Sequence, residues 1–232
     1  MATKPKASDR QYAEARHFYT DPRTGERLVS VTSIVGSFDP GDKLGAGAAA
    51  AVKLTKEGQN YRSVWDAKRD LGSAVHDLAA LWAQGKAADV PEELAPYLDG
   101  FEKFCSDYSP TFIEQERAVV HSAGYGGRFD LVAEMSAFAH ADEFTLLDLK
   151  TGKPYKAELT LQLAGYAYAD GMVLYDEAGM ARFLEPMPHI DTCAGLYLHD
   201  DGTYDLTWAE VDDNAFDMFL NLLAVKNWAK AQ

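Results

Sequence analysis

The sequence has few cysteines and no long apolar run. Cys105 and Cys193 are its only cysteines, and their separation matches no metal-ligand spacing, so we expect reduced thiols and neither a disulfide framework nor a zinc or iron–sulfur site. No stretch reaches the roughly eighteen uncharged apolar residues of a membrane span. The first ten residues also lack the apolar segment of a secretory signal. These absences predict a cytoplasmic protein with no membrane partner.

Positive charge is scarce as well. The chain carries 22 lysines and arginines against 36 aspartates and glutamates, a formal net charge of -14, and this sign opposes the binding of nucleic acid by bulk electrostatics. The basic residues are nevertheless grouped, so they form either a local basic groove on an acidic body or ordinary solvated helix faces. The two groups are Lys53, Lys56, Arg62, Lys68 and Arg69, and Lys150, Lys153 and Lys156.

The first half of the chain is predicted to be mainly helical after a short pair of strands. Apolar residues make up 47% of the sequence, enough for a sizeable core, and we predict one domain over residues 1–232. Turn residues 21–25 separate two strands within residues 17–37, and the second strand contains the β-branched run VSVTSIV. Helical periodicity then predicts helices over Leu44–Glu57, Ser63–Gly85 and Pro91 to about Tyr108.

From residue 111 the apolar period shortens towards two, which is typical of strands. We predict a three-strand meander with a glycine-rich first turn at 123–127 and an end at Pro154, followed by a helix, a hairpin and a last helix. The strands are Phe112–His121, Arg128–Met135, Glu143–Lys150, Thr192–Leu198 and Thr203–Trp208, and the helices are Ala157–Leu174 and about Asp213–Ala229. This order predicts an α/β fold, with a mixed central sheet flanked by helices, a helical region over about residues 44–108 and a core region over about 111–175.

Two residues of complementary charge share one face of the third meander strand. Asp148 and Lys150 project from the same side, because side chains alternate between the faces of a strand. Such a pair is also common on solvent-facing strand edges, but this one ends an apolar strand, where sites form. The meander places Asp130 of the preceding strand beside Asp148. Two carboxylates and the carbonyl oxygen of Leu149 would suit Mg²⁺, and Lys150 would orient a water or neutralise developing negative charge.

Three segments, in order, resemble the signature of RecB-type nucleases in the PD-(D/E)XK superfamily. They are GRFD at 127–130, LLDLKTGK at 146–153 and LQLAGY at 161–166. The resemblance implies a restriction-endonuclease-like core and a metal-dependent DNA nuclease that uses Mg²⁺ or Mn²⁺. It favours a phage-type exonuclease over an endonuclease. DNA is the implied partner, and a recombinase or single-strand-binding protein is a further partner class that the residues do not identify.

The resemblance also assigns roles to single residues. Asp130, Asp148 and Lys150 would form the catalytic set. Gln162 and Tyr166 are four residues apart and share one helical face; Gln162 would help to organise the active site or the DNA strand, and Tyr166 would stack or donate a hydrogen bond. The alternative is an ordinary amphipathic helix, but an amide inside an apolar stripe needs a hydrogen-bonding partner.

Further positions resemble the family less specifically. His76 and Glu116 match additional metal-ligand positions, although a lone helical histidine and a strand glutamate are common without such a role. Phe129 replaces the proline that names the superfamily, a change that leaves the aspartate in place. Members with an iron–sulfur cluster carry four cysteines, so we expect no cluster here. The predicted DNA-binding residues are Arg128, Lys153 and Lys156.

Two other classes of function remain open on the sequence. One is a catalytically inactive module that keeps the nuclease fold and binds nucleic acid or protein. The other is an unrelated metal-dependent phosphoesterase, which would normally need more clustered histidine and aspartate ligands than six scattered histidines supply. Cleavage polarity, strand preference, the number of metal ions and the oligomeric state are not predicted by these residues.

Overall fold

A computed structural model of the chain describes residues 19–38, 43–86, 89–135, 143–153, 155–175 and 181–232. The predictions for residues 17 and 18 and for Pro154 lie outside these ranges. Within them, every helix is too short or too polar to cross a membrane.

The β-branched run near the N-terminus is split between a strand and a helix. Strands β1 (Tyr19–Thr20) and β2 (Arg27–Ser30) flank the predicted turn, but Val31–Val35 forms a short helix, α1. The prediction of one strand over VSVTSIV is therefore wrong. The Ser30 side chain accepts a hydrogen bond from the Ser33 backbone N–H at 3.2 Å, which caps a helix start. The three apolar residues of the helix are then buried together, and this burial overrides their preference for strands.

Three helices follow, close to where the apolar periodicity predicts them. They are α2 (Lys43–Lys56), α3 (Tyr61–Ala83) and α4 (Ala95–Tyr108). Helix α4 begins four residues later than predicted, because the Leu94 N–H bonds back to the Pro91 carbonyl in a turn before the helix. A second proline, Pro96, occupies its first turn, where a missing N–H costs little.

The meander is confirmed, but the helix after it is shorter than predicted. Strands β3 (Pro110–His121), β4 (Tyr125–Met135) and β5 (Phe144–Lys150) pair antiparallel in order. Helix α5 covers Lys156–Ala167 and not Ala157–Leu174. Its expected last turn is instead strand β6 (Gly171–Tyr175), which pairs with β3 and with an unpredicted strand, β7 (Ala181–Glu185). Hydrogen bonds to distant strands thus override the helical periodicity.

The predicted hairpin and last helix complete the fold. They are β8 (Thr192–Leu198), β9 (Tyr204–Ala209) and α6 (Asp213–Lys230). The sheet runs in the order β7-β6-β3-β4-β5-β8-β9, with β2 added parallel to the start of β4. Strand β5 is parallel to β8, whereas the other pairs along this order are antiparallel. The protein is therefore an α/β structure with a mixed, mostly antiparallel central sheet flanked by helices.

Among the described residues, three apolar clusters pack on the sheet, and strand β5 contributes to the two larger ones. Leu146 packs in the core that includes α1, α5 and α6, while Leu147 and Leu149 pack in the core that includes α3 and α4. Helix α6 packs against α5, because Phe219 of α6 is fully buried and its ring lies against Gly165 of α5. A Cβ atom at Gly165 would stand 2.8 Å from that ring, so the two helices approach closely only because position 165 is glycine.

We expect Phe219→Ala to lower the free energy of unfolding by about 3–5 kcal/mol, because it removes a buried ring and leaves a cavity under α5. Urea unfolding followed by circular dichroism measures the change. Asp217→Ala, two residues away on the exposed side of the same helix, is the matched control and should stay within about 0.5 kcal/mol of the wild type. Equal losses in both variants would contradict this packing.

Candidate active site

Three carboxylates fall in one row across the meander. The register of β4 on β5 places Asp130 opposite Asp148, one residue beyond the last paired positions. The register of β3 on β4 places Glu116 opposite Asp130, between two paired positions. Neighbouring antiparallel strands bring opposite residues to about 4.5–5.5 Å between Cα atoms. The fold therefore collects acidic side chains that are up to 32 positions apart in the sequence, from Glu116 to Asp148.

Asp130 joins a helix to the neighbouring strand. Its Oδ1 lies 3.1 Å from Nδ1 of His76 on α3, and its Oδ2 accepts a 2.6 Å hydrogen bond from the backbone N–H of Leu149. His76, which the sequence left open between a core residue and a ligand, thus lies at the site. Leu149 contacts Asp130 through its backbone N–H, and the role of its carbonyl as a metal ligand stays a prediction.

Asp148, Lys150 and Gln162 form a closed ring of contacts. Asp148 Oδ2 pairs with the ammonium of Lys150, and Asp148 Oδ1 accepts a 2.7 Å hydrogen bond from Nε2 of Gln162 on α5. The Lys150 ammonium donates to Oε1 of the same amide at 3.2 Å. The two ends of one side-chain amide therefore bind a carboxylate and an ammonium, which is the partner set that a buried glutamine needs.

Tyr166 supports this ring, and a glycine makes room for it. The Tyr166 hydroxyl lies 3.3 Å from Nε2 of Gln162. A Cβ atom at Gly127 would stand 2.6 Å from the Tyr166 ring and 2.9 Å from Val31, so position 127 must lack a side chain. In the sequence, Gly127 is recognisable only as part of a turn and of the GRFD segment, and neither indicates this role. Tyr197, which pairs with Lys150 across β5 and β8, likewise carries no local signal of a site.

Burial and nearby opposite charges shift the pKa values of Asp130, Asp148, His76 and Lys150 in opposite directions. Burial raises the pKa of Asp148, and the nearby Asp130 raises it further against the pull of Lys150. Burial also acts to raise the pKa of Asp130, but His76, Lys150 and the Leu149 N–H outweigh it and lower that pKa. The carboxylates overcome the desolvation of the two cations, so the pKa of Lys150 is raised and that of His76 rises to about 9. The site therefore holds two protonated cations near neutral pH.

Glu116 reaches the site through an unusual backbone conformation. Its φ is 49°, in the left-handed region that non-glycine residues rarely adopt and that is found at functional sites. Its carboxylate faces Arg128, with 3.6 Å between Oε2 and Nη1. Donor atoms of His76, Glu116 and Asp130 all lie within 4.8 Å of one another. These three residues, from one helix and two strands, form a set that could hold a metal ion.

The predicted DNA-binding residues are not all together. Arg128 lies at the cluster and faces Glu116, whereas Lys153 and Lys156 are exposed after β5 and at the start of α5. In the other basic group, Arg69 pairs with Asp66 at 2.8 Å and Lys53 lies 3.9 Å from Glu57. Acidic neighbours in or directly after the same helices thus offset part of the positive charge of this group.

Comparisons with known proteins identify no family. No family model matches the chain, and no curated protein matches it. Among solved structures it is similar to the crystal structure of SSO0001, with a TM-score of 0.37 and 12% identity, over 88% of this chain and 76% of that one. A similarity of this size carries no argument about activity.

We expect His76 to make stability depend on pH in the absence of metal. A histidine whose pKa rises from about 6.5 when unfolded to about 9 when folded contributes stability that is fully present below pH 6.5. This contribution is lost as the pH rises through about 9. The difference in unfolding free energy between wild type and His76→Asn, measured with urea in EDTA, should therefore shrink between pH 6 and about pH 9.5.

The control is His199→Asn, because His199 forms a comparable but exposed pair, with 3.0 Å between its Nε2 and Asp205. Its difference from the wild type should change much less over the same pH range. A constant difference for His76→Asn would contradict the protonated His76–Asp130 pair.

Proposed function

We propose that the protein is a metal-dependent phosphodiesterase that hydrolyses DNA on a restriction-endonuclease-like core. The observation that carries this proposal is the pair of buried carboxylates, Asp130 and Asp148, with the Lys150 ammonium bound directly to the second. Buried acids of opposite pKa shift beside a lysine are costly to maintain and are typical of functional sites. The order of the GRFD, LLDLKTGK and LQLAGY segments supports the choice of nuclease chemistry.

The donor atoms at the site fit a hard divalent cation. The donor atoms of His76, Glu116 and Asp130 all lie within 4.8 Å of one another, and carboxylate oxygens are the ligands that a hard divalent cation prefers, so these residues would hold such an ion. Asp148 lies opposite Asp130 in the strand register and would complete the set. The imidazole favours Mn²⁺ over Mg²⁺, because Mg²⁺ prefers oxygen ligands. Such an ion, when bound, would lower the pKa of a coordinated water.

The chain's own residues would position the reacting groups. Lys150 holds its ammonium at Asp148 Oδ2, where it would stabilise the negative charge that develops on a phosphate held at the site through a metal ion. Gln162 orients both Asp148 and Lys150 through one amide, and Tyr166 braces that amide. Catalysis improves when such donors are fixed in advance, because no reorganisation is then needed during the reaction.

The resemblance of the sequence to RecB-type nucleases is the reason for proposing DNA as the substrate. It is also the reason for proposing that cleavage starts at an end of the DNA. The net charge of -14 predicts that contacts to DNA are confined to the neighbourhood of the site. Arg128 faces Glu116 at the site, and the exposed Lys153 and Lys156 follow Lys150 within six residues. Binding should accordingly depend less steeply on salt than in a protein that coats DNA with basic residues.

We expect the wild-type protein to release nucleotides from labelled single- or double-stranded linear DNA with Mn²⁺ or Mg²⁺, and to be inactive in EDTA. Asp148→Asn and Lys150→Met should each lower the rate about 100-fold or more, since each removes a preorganised charge from the site. Asp205→Asn, from the exposed His199–Asp205 pair, is the matched control and should retain wild-type activity.

The outcomes separate the competing functions. Equal rates in wild type, Asp148→Asn and Lys150→Met would show that any activity arises elsewhere. Binding of DNA or of Mn²⁺ without cleavage would favour the inactive module. A comparison of linear with circular DNA distinguishes cleavage that starts at an end from internal cleavage.

Metal binding should displace a proton from His76. Because the pKa of His76 is about 9, the imidazole is protonated at pH 7.5, and coordination of Mn²⁺ would release about one proton from it. Calorimetric titration with Mn²⁺ in buffers of different ionisation enthalpy measures the released protons. We expect about one fewer proton for His76→Asn than for the wild type, and an equal number would remove His76 from the ligand set.

A further inference from the structure

Helix α3 carries an exposed aromatic residue on the side that leads to the candidate active site. One stripe of the helix, with spacings of four, three and four residues, is made of Trp65, Arg69, Gly72 and His76. At 1.5 Å per residue, Trp65 lies about 16 Å from His76 along the helix axis. Because His76 contacts Asp130, the stripe runs from the carboxylates of the site outwards to the ring of Trp65.

The ring of Trp65 is open to solvent and has an ordered aromatic neighbour. Its exposed fraction is 43%. Tyr61, one turn earlier, contacts it edge-on, with 5.1 Å between the ring centroids and 74° between the planes, and the Arg62 guanidinium lies 5.8 Å from the centroid of the Tyr61 ring. The two rings are not stacked on each other, so aromatic surface remains for a third ring. A nucleobase stacks on such a surface whatever its identity.

Two cations flank Trp65. Arg62 and Lys68 lie three residues to either side of it and are both exposed, and a separation of three residues places each about 60° around the helix from Trp65, in opposite directions. Arg69 is not counted with them, because it pairs with Asp66 at 2.8 Å. An anion that lies along the stripe therefore meets one cation on each side of the aromatic ring.

The acidic residues of α3 lie on a different side of the helix. They are Asp66, Asp70 and Asp77, and their positions fall about 100–140° around the helix from Trp65. The helix thus separates its charges by face, although the chain as a whole has a net charge of -14. A ligand with alternating aromatic rings and negative charges complements the stripe, and a nucleic acid strand has this chemistry.

A glycine opens the stripe next to the site. A Cβ atom at Gly72 would stand 3.5 Å from Oγ1 of Thr151, which is an ordinary contact, so packing within the chain does not require glycine here. Glycine inside a helix lowers its stability relative to alanine and permits a close approach to the backbone. Since Thr151 follows Lys150 directly, a strand that lies on the stripe at this point would reach the residues that contact Asp148.

We propose that this stripe of α3 binds single-stranded DNA, with a base stacked on Trp65 and phosphates held by Arg62 and Lys68, and leads the strand to the carboxylates. DNA is taken from the proposed function, on which this inference rests, and the stripe adds the form of the substrate. The bases of a duplex are already stacked on one another, so an exposed ring accepts a base only from a single strand. At the ~3.4 Å per nucleotide of a stacked strand, about five nucleotides span from Trp65 to His76.

Fluorescence anisotropy of a labelled oligothymidylate of about 20 nucleotides, titrated with the whole protein in EDTA, tests the stripe without cleavage. We expect a dissociation constant of about 1–100 µM at physiological salt and binding of a duplex of the same length that is about fivefold weaker or more. Trp65→Ala should weaken binding of the single strand about fivefold or more, while Trp65→Phe, which still stacks, should stay within about twofold of the wild type. Trp228→Ala, at an exposed tryptophan of α6, is the matched control and should bind like the wild type.

The salt dependence of the same titration separates stacking from charge. Each phosphate contact of a single strand contributes about -0.7 to the slope of the logarithm of the association constant against the logarithm of the salt concentration. Lys68→Gln should therefore make the slope about 0.7 less steep. Trp65→Ala should lower the affinity and leave the slope unchanged.

Several results would overturn this assignment of the stripe. They are the absence of saturable binding, equal affinity of wild type and Trp65→Ala, equal weakening by Trp65→Ala and Trp228→Ala, and tighter binding of the duplex. Circular dichroism of the variants checks that α3 is still folded. A strand that binds through Trp65 but is not cut in Mn²⁺ would refute the nuclease and keep the binding site, whereas cleavage with unchanged binding in Trp65→Ala would refute the stripe alone.

Discussion

The structure around the site depends on two carboxylates that lie side by side away from water. Asp130 and Asp148 occupy opposite positions on neighbouring strands, and two buried negative charges at that separation cannot persist without nearby positive charge. Lys150 supplies it to Asp148 and His76 supplies it to Asp130. The pKa of each cation is raised in consequence. A divalent cation that took over this role would release the His76 proton and leave Lys150 free to interact with a substrate.

The two larger apolar clusters, which pack against β5 from opposite faces, place these groups. Helix α3 carries His76 on one side, and α5 carries Gln162 and Tyr166. The approach of α5 depends on close contacts that glycines permit, with Gly127 under the Tyr166 ring and Gly165 against Phe219. A larger residue at either position would displace α5 and with it the amide that holds Asp148 and Lys150. The GRFD segment thus contributes an acid and, through its glycine, the position of an aromatic ring.

The sequence predicted the features that depend on local periodicity and failed where distant contacts decide. The alternation over Phe144–Lys150 predicted a strand and the shared face of Asp148 and Lys150, and the amide in the stripe of α5 predicted a polar partner. The end of α5 was missed, because its apolar stripe continues into residues that pair with β3. The position of Glu116 beside Asp130 depends on strand register and on an unusual backbone angle. Neither has a local sequence signal.

Anomalous scattering from crystals soaked in Mn²⁺ would locate a bound ion without reference to activity. We expect an anomalous peak in the wild-type protein within bonding distance of Asp130, together with Asp148 and at least one of His76 and Glu116, and its loss in Asp130→Ala. A Mn²⁺-soaked crystal with no peak there, or with peaks only at other sites, would show that these residues do not form a metal site.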